Sequence, residues 1–136
     1  MNPDALESVQ QLVAEYSQAH DDGRANDLAN LFAVDATFTV SGTTYQGRDA
    51  IRDAIGRRAG DALPVQHVTT NCFAYIDPLG VTARGRTDFH FLTRVGDDIV
   101  ISSAGRYYDR LVRETERWRF TSRTVVFLGE DAPADW

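Results

Sequence analysis

Three histidines, His20, His67 and His90, are the side chains of this 136-residue chain best able to move a proton near neutral pH. The other reactive types are scarce. All 14 basic residues are arginine, so Schiff-base chemistry and lysine nucleophiles are excluded. Cys72 is the single cysteine, which leaves no intrachain disulfide and no zinc cluster. Neither GxGxxG nor GxxxxGK followed by Ser or Thr occurs, so no standard nucleotide cradle is present. No cofactor and no metal are therefore expected, and any chemistry falls to His, Asp, Glu, Tyr, Ser, Thr or Arg.

A lone histidine is more often solvent-facing or satisfied in a core than catalytic, and each is weighed against that reading. His67 lies on a predicted strand, and strict alternation puts Val65, Thr69, Asn71 and Phe73 on its face, with Val68, Cys72, Ala74 and Ile76 opposite. The mixed face suits a pocket wall. His90 shares its side of the next strand with Arg84, Arg86 and Asp88, the company of a surface or interface residue. His20 falls near a helix C-terminus, where the dipole favours a cation. A base histidine needs a carboxylate to fix its tautomer and stabilise its charged form, which would raise its pKa. Asp21 and Asp22 are both placed for this, and helical periodicity does not choose between them. Arg123 alternates away from Trp118, Phe120 and Ser122, and arginines usually reach solvent.

The elements that carry these residues are legible. Leu6, Val9, Leu12, Val13 and Tyr16 recur at helical spacing, predicting an amphipathic helix over about residues 4–20 that Asp22-Gly23 ends. Leu28, Leu31 and Phe32 predict a short second helix, Thr37 to Val40 a strand, and Arg48 to Arg58 a third helix. Beyond Pro64 the period changes to two. Strands are expected at Val65 to Ile76, Val81 to Arg94, Ile99 to Arg113 and Arg117 to Leu128, with short turns that imply an antiparallel meander. Helices first and a curled antiparallel sheet after them give an α+β domain: a cone with one apolar pocket. A single domain over 1–136 is expected, with Gly129 to Trp136 as a loose acidic tail.

Composition bounds the partners. Apolar residues at 43% and charged residues at 25% are ordinary globular usage. A net charge of −6 without a basic patch argues against nucleic acid. No run is long and apolar enough to span a membrane. The first twenty residues lack a basic leader region, so a cytoplasmic location is expected. The expected partners are a small-molecule substrate and a second copy of the chain, docking through the sheet face of Val68, Cys72, Ala74 and Ile76.

The ordered set VQQLVAEYSQAHDDGRANDLANLF, VDATFTV, YQGRDAI, QHVTTN, GRYYDRLVR and WRFTSR resembles the SnoaL-like family of the nuclear-transport-factor-2-like (ketosteroid-isomerase-like) superfamily, over about residues 5–128. It is most similar to the branch of scytalone dehydratase, bile-acid 7α-dehydratase and hexachlorocyclohexane dehydrochlorinase. The resemblance implies a cystatin-like roll and a cofactor-free lyase with a His–Asp dyad in the cone. Asp21, ahead of Leu28, Leu31 and Phe32, matches the family aspartate. His67, with Thr70 and Asn71 after it, matches the His-x-x-Thr-Asn motif. Tyr16, Tyr107, Arg123 and Asn71 are the implied substrate contacts. One departure concerns Phe38 and Val40, which stand where the dehydratases carry a second tyrosine hydroxyl; Phe38 is then an apolar pocket contact. A second pocket histidine would have to be His90. The resemblance equally covers polyketide cyclases and double-bond isomerases, and non-catalytic subunits such as those of ring-hydroxylating dioxygenases.

Overall fold

Helix α1 (Ala5–Asp21) buries Val9, Leu12, Val13 and Tyr16, the stripe that the spacing predicts. Its end is defined by backbone chemistry. Gly23 takes a φ of 72°, its N–H donates to His20 O, and that of Arg24 donates to Ala19 O. This is a Schellman stop, which glycine permits because it carries no Cβ. The stop places His20 and Asp21 in the last helical turn. Helix α2 (Ala25–Asn30) is shorter than expected at its end, because Phe32 opens strand β1 (Phe32–Val40). A short hairpin partner, β2 (Thr43–Gln46), precedes helix α3 (Arg48–Ile55). The computed structural model describes residues 4–57, 63–115 and 117–136; Arg58, the expected end of the third helix, and Glu116 of the last turn lie outside them.

The four long strands follow the predicted bounds closely: β3 (Val65–Ile76), β4 (Thr82–Val95), β5 (Asp98–Glu114) and β6 (Arg117–Phe127). They form an antiparallel meander, and β1 joins β6 in parallel, giving the order β2-β1-β6-β5-β4-β3. The result is an α+β fold with a six-stranded curved sheet, helices lying against its concave side and a core between them. Among the described residues, no helix is long and apolar enough to cross a membrane.

Bulges interrupt the meander, and two of them overturn face assignments made from alternation. On β3 the pairing with β4 shifts between Thr70 and Phe73. Asn71 sits there with φ of 53°, a left-handed conformation that asparagine tolerates better than most residues. A one-residue slip exchanges the faces. Cys72, Ala74 and Ile76 therefore pack on the core, while Phe73 and Tyr75 are about half exposed outside. The docking face expected from Val68, Cys72, Ala74 and Ile76 does not exist as such. On β6 the register shifts opposite Arg110 and Leu111, leaving Thr121 unpaired. The slip turns Arg123 to the same side as Trp118 and Phe120, and all three are buried. The tail is less loose than its composition suggested. Trp136 Nε1 donates to Asp109 O, and its ring lies under the guanidinium groups of Arg84 and Arg86.

Candidate active site

Helix α1 and edge strand β3 meet at a carboxylate. Asp21 Oδ2 accepts the backbone N–H of His67 at 2.6 Å, and Asp21 Oδ1 lies 2.7 Å from His67 Nδ1. The first contact occupies a backbone donor of an edge strand; the second orients the ring. Asp21, not Asp22, is the partner. His20 adds a third contact, its Nδ1 3.1 Å from the same Oδ1. The two imidazoles stand edge to face with centroids 4.8 Å apart. Arg57 ties the arrangement to the end of α3 by donating to Asp21 O. With both Nδ1 atoms turned to Asp21, each ring keeps Nε2 for other partners, and none is present among the described residues.

Both histidines border a cavity of about 290 Å³ inside the sheet. Tyr16, Phe38, Val40, Ile55, Phe89, Phe91 and Tyr107 make most of its wall. The volume is at the small end of ligand pockets, which run to roughly 300–1,000 Å³. A larger hollow of about 480 Å³ lies outside the sheet beneath the tail, lined by Thr, Ser and acidic residues with no histidine. Of these two, the inner cavity is the one with histidines on its wall, and His67 also borders an open hollow between α1 and β3. His20, Asp21 and His67 are also the one group of three potential metal-ligating side chains among the described residues, each offering one donor atom within 4.8 Å of the others. Asp21 Oδ1 already engages both rings, so the set reads as a hydrogen-bonded triad.

Electrostatics follows from burial. Burial opposes the charge of Asp21, but hydrogen bonds from His20, the His67 ring and the His67 amide together hold the carboxyl well below its usual range. His67 moves the other way from expectation. Burial outweighs Asp21 and lowers it below the ordinary 6.5, so the resting imidazole is neutral. Burial pushes the Tyr16 hydroxyl up to about 12, so it stays a donor.

Of the sequence-predicted residues, His67, Asp21, Tyr16, Tyr107 and Phe38 are brought together. Asn71 is not: it serves the bulge and donates to Asp88 outside the cone. Arg123 is inside but does not line the cavity. It is wholly buried, bonded to Asp109 by Nε at 2.8 Å and Nη2 at 3.3 Å, and enclosed by Tyr107, Tyr16 and Phe120. His90 is exposed on the outer face, so it supplies no second pocket histidine. Sequence reasoning missed His20 and Asp109. The signals were present: His20 follows Tyr16 by four on one helix stripe, and Asp109 follows Tyr107 by two on one strand face.

Comparisons with known proteins bear on the family and the fold. Residues 4–124 match the SnoaL-like domain. Among solved structures, a nuclear-transport-factor-2-like protein with a cystatin-like fold from Novosphingobium aromaticivorans is 25% identical, over 93% of this chain and 83% of that one, with a TM-score of 0.82. Aln2 from a Streptomyces species is 21% identical over 93% of both chains, with a TM-score of 0.84. A scytalone-dehydratase-like protein from Novosphingobium aromaticivorans is 19% identical over 96% of this chain and 93% of that one, with a TM-score of 0.77. The latter two, at their identities, show the fold. No curated protein matches. The family match spans nearly the whole sequence, and the chain belongs to the SnoaL-like domain family.

Proposed function

We propose that this domain is a cofactor-free lyase that removes a proton and a β-leaving group from a small apolar organic molecule of polyketide- or steroid-like character. His67 is the general base. Asp21 is its positioning residue: it fixes the Nδ1–H tautomer, leaves Nε2 for the substrate, and stabilises the imidazolium formed when the proton arrives. Tyr16 donates to a substrate oxygen, with Tyr107 beside it. Arg123 stabilises developing negative charge through its field from behind these rings, not by contact. The observation that carries the reading is the 2.7 Å contact between His67 and Asp21 at the wall of an apolar cavity. A positioned base contributes about 10²–10⁴ in rate, so the substrate C–H must already be acidified, as beside a ketone or thioester.

A second reading keeps the base and returns the proton elsewhere, as in a double-bond isomerase or polyketide cyclase. Phe38 favours it, since this part of the wall offers no hydroxyl to a leaving group. A third, a binding or structural module, needs neither His67 nor Asp21. The test is base-catalysed ring opening of 5-nitrobenzisoxazole, a flat probe of the right size. Wild-type protein is expected to turn it over about 10²–10⁴ faster than His67→Ala, with both proteins equally folded by circular dichroism. Equal rates sink the catalytic reading. The homodimer forms part of the proposal, with the docking face moved to Val68, Phe73 and Tyr75 on the outside of the sheet. Light scattering at micromolar concentration checks it, and a monomer removes it.

A further inference from the structure

An elimination needs a proton delivered as well as a proton removed, and the apolar wall at Phe38 does not deliver one. We propose that His20 is a second catalytic residue, the general acid that protonates the leaving group while His67 acts as base. The inference rests on the base role of His67 and extends it. Two observations carry it. His20 and His67 share one oxygen of Asp21 through their Nδ1 atoms, at 3.1 and 2.7 Å. Both also border the same cavity, so two Nε2 atoms on perpendicular rings 4.8 Å apart serve one ligand.

The geometry sets the division of labour. One carboxylate between two imidazoles holds one extra proton at no net charge, and a second would place two cations side by side. The acid role falls to the better solvated ring. His20 is 14% exposed in its side chain and His67 is 7%. Other groups facing the pair favour the same order: Arg123, a cation behind the wall, also disfavours charge on His67, whereas Tyr16 and Tyr107 remain neutral. In the reaction, the C–H bond gives its proton to His67 Nε2 and its electron pair forms the new C=C bond. The C–O bond breaks, and the departing oxygen takes the proton of His20 Nε2, leaving as water or an alcohol. The enzyme then holds its proton on His67. Exchange with solvent restores it, and the open hollow between α1 and β3 reaches both Asp21 and His67.

The experiment uses two probes that differ in leaving group. In 5-nitrobenzisoxazole the phenolate leaves readily; in unsubstituted 1,2-benzisoxazole it leaves poorly and benefits from an acid. His20→Asn keeps an N–H for Asp21 and removes Nε2. It should lower kcat/KM on the unsubstituted probe about tenfold more than on the nitro probe. His67→Asn should abolish enzyme turnover of both. Equal losses on both probes in His20→Asn overturn the acid role and make His20 a positioning residue only. Wild-type turnover no better than that of His67→Asn overturns the base reading, and the acid role with it.

Discussion

Two ionic clusters lie on either side of Tyr16 and Tyr107, and they are built for opposite ends. On one side Asp21 holds His20 and His67 beside a cavity. On the other Asp109 holds Arg123, with no exposure at all, beneath the aromatic rings at 3.6 Å from the Tyr107 centroid. Each pairs a carboxylate with a nitrogen base. The first uses imidazoles and leaves one nitrogen of each ring without a hydrogen bond among the described residues. The second uses a base that never loses its proton and buries it under a two-point bond and three rings, with Nη1 sealed in without a hydrogen bond among the described residues. Burial pushes the Asp109 carboxyl up, against the pull of Arg123, and Asp109 in turn keeps Arg123 cationic. The difference teaches that a charge pair in a core can meet a ligand where it borders space, and can only hold the fold where it does not.

The comparison breaks hardest at the scaffold. Asp109→Asn leaves a buried guanidinium uncompensated and should destabilise the fold by about 3–5 kcal/mol in denaturant titration. The double change Asp109→Leu with Arg123→Met should recover most of that loss, as a buried pair often exchanges for apolar residues at little cost. At the triad, the expected effect is on turnover. Asp21→Asn removes a charge-assisted hydrogen bond of about 1.5–3 kcal/mol, hence a loss of roughly 10–150-fold on 5-nitrobenzisoxazole.

The pH dependence sharpens the same contrast. The folded value of His67 lies below 6.5, so folding favours its neutral form. Its contribution to stability is fully present above 6.5 and is lost as pH falls through the window below it. On 5-nitrobenzisoxazole, whose leaving group needs no acid, turnover should follow, level at neutral pH and falling with acid only below 6.5. An inflection above 6.5 in the pH–rate profile would show that Asp21 outweighs burial. The smallest effect is expected at Asn71. Asn71→Gly keeps the left-handed bulge and should change stability by less than about 1 kcal/mol, with turnover unchanged. A loss of turnover would place Asn71 in the pocket after all.

The sheet was legible because its signals are local. Val65 to Ile76 alternates, Asp77-Pro78-Leu79-Gly80 turns, and β3 has the bounds that this pattern predicts. Strand β2 was not legible: its exposed or half-exposed residues carry no pattern. Nor was the parallel pairing of β1 with β6, which joins the first half of the chain to its last strand. The candidate dyad was reached through resemblance, since neither acid after α1 is marked by periodicity. His20 was set aside for a reason that is sound in isolation, that a helix C-terminus favours a cation. Its real partners are the next residue of the chain and a strand whose histidine lies 46 residues beyond Asp21.

The residue types and their order determined the α+β class, the helix stop at Gly23, the bounds of the four long strands and the absence of lysine and thiol-pair chemistry, because each depends on composition or on neighbours a few positions away. The tertiary structure alone decided which side chains face the cavity. One extra residue in β3 and one in β6 exchange the faces beyond them, sending Asn71 out and Arg123 in. Alternation cannot foresee such a slip, because a bulge is set by pairing with the neighbouring strand and by sheet curvature, not by the strand's own sequence.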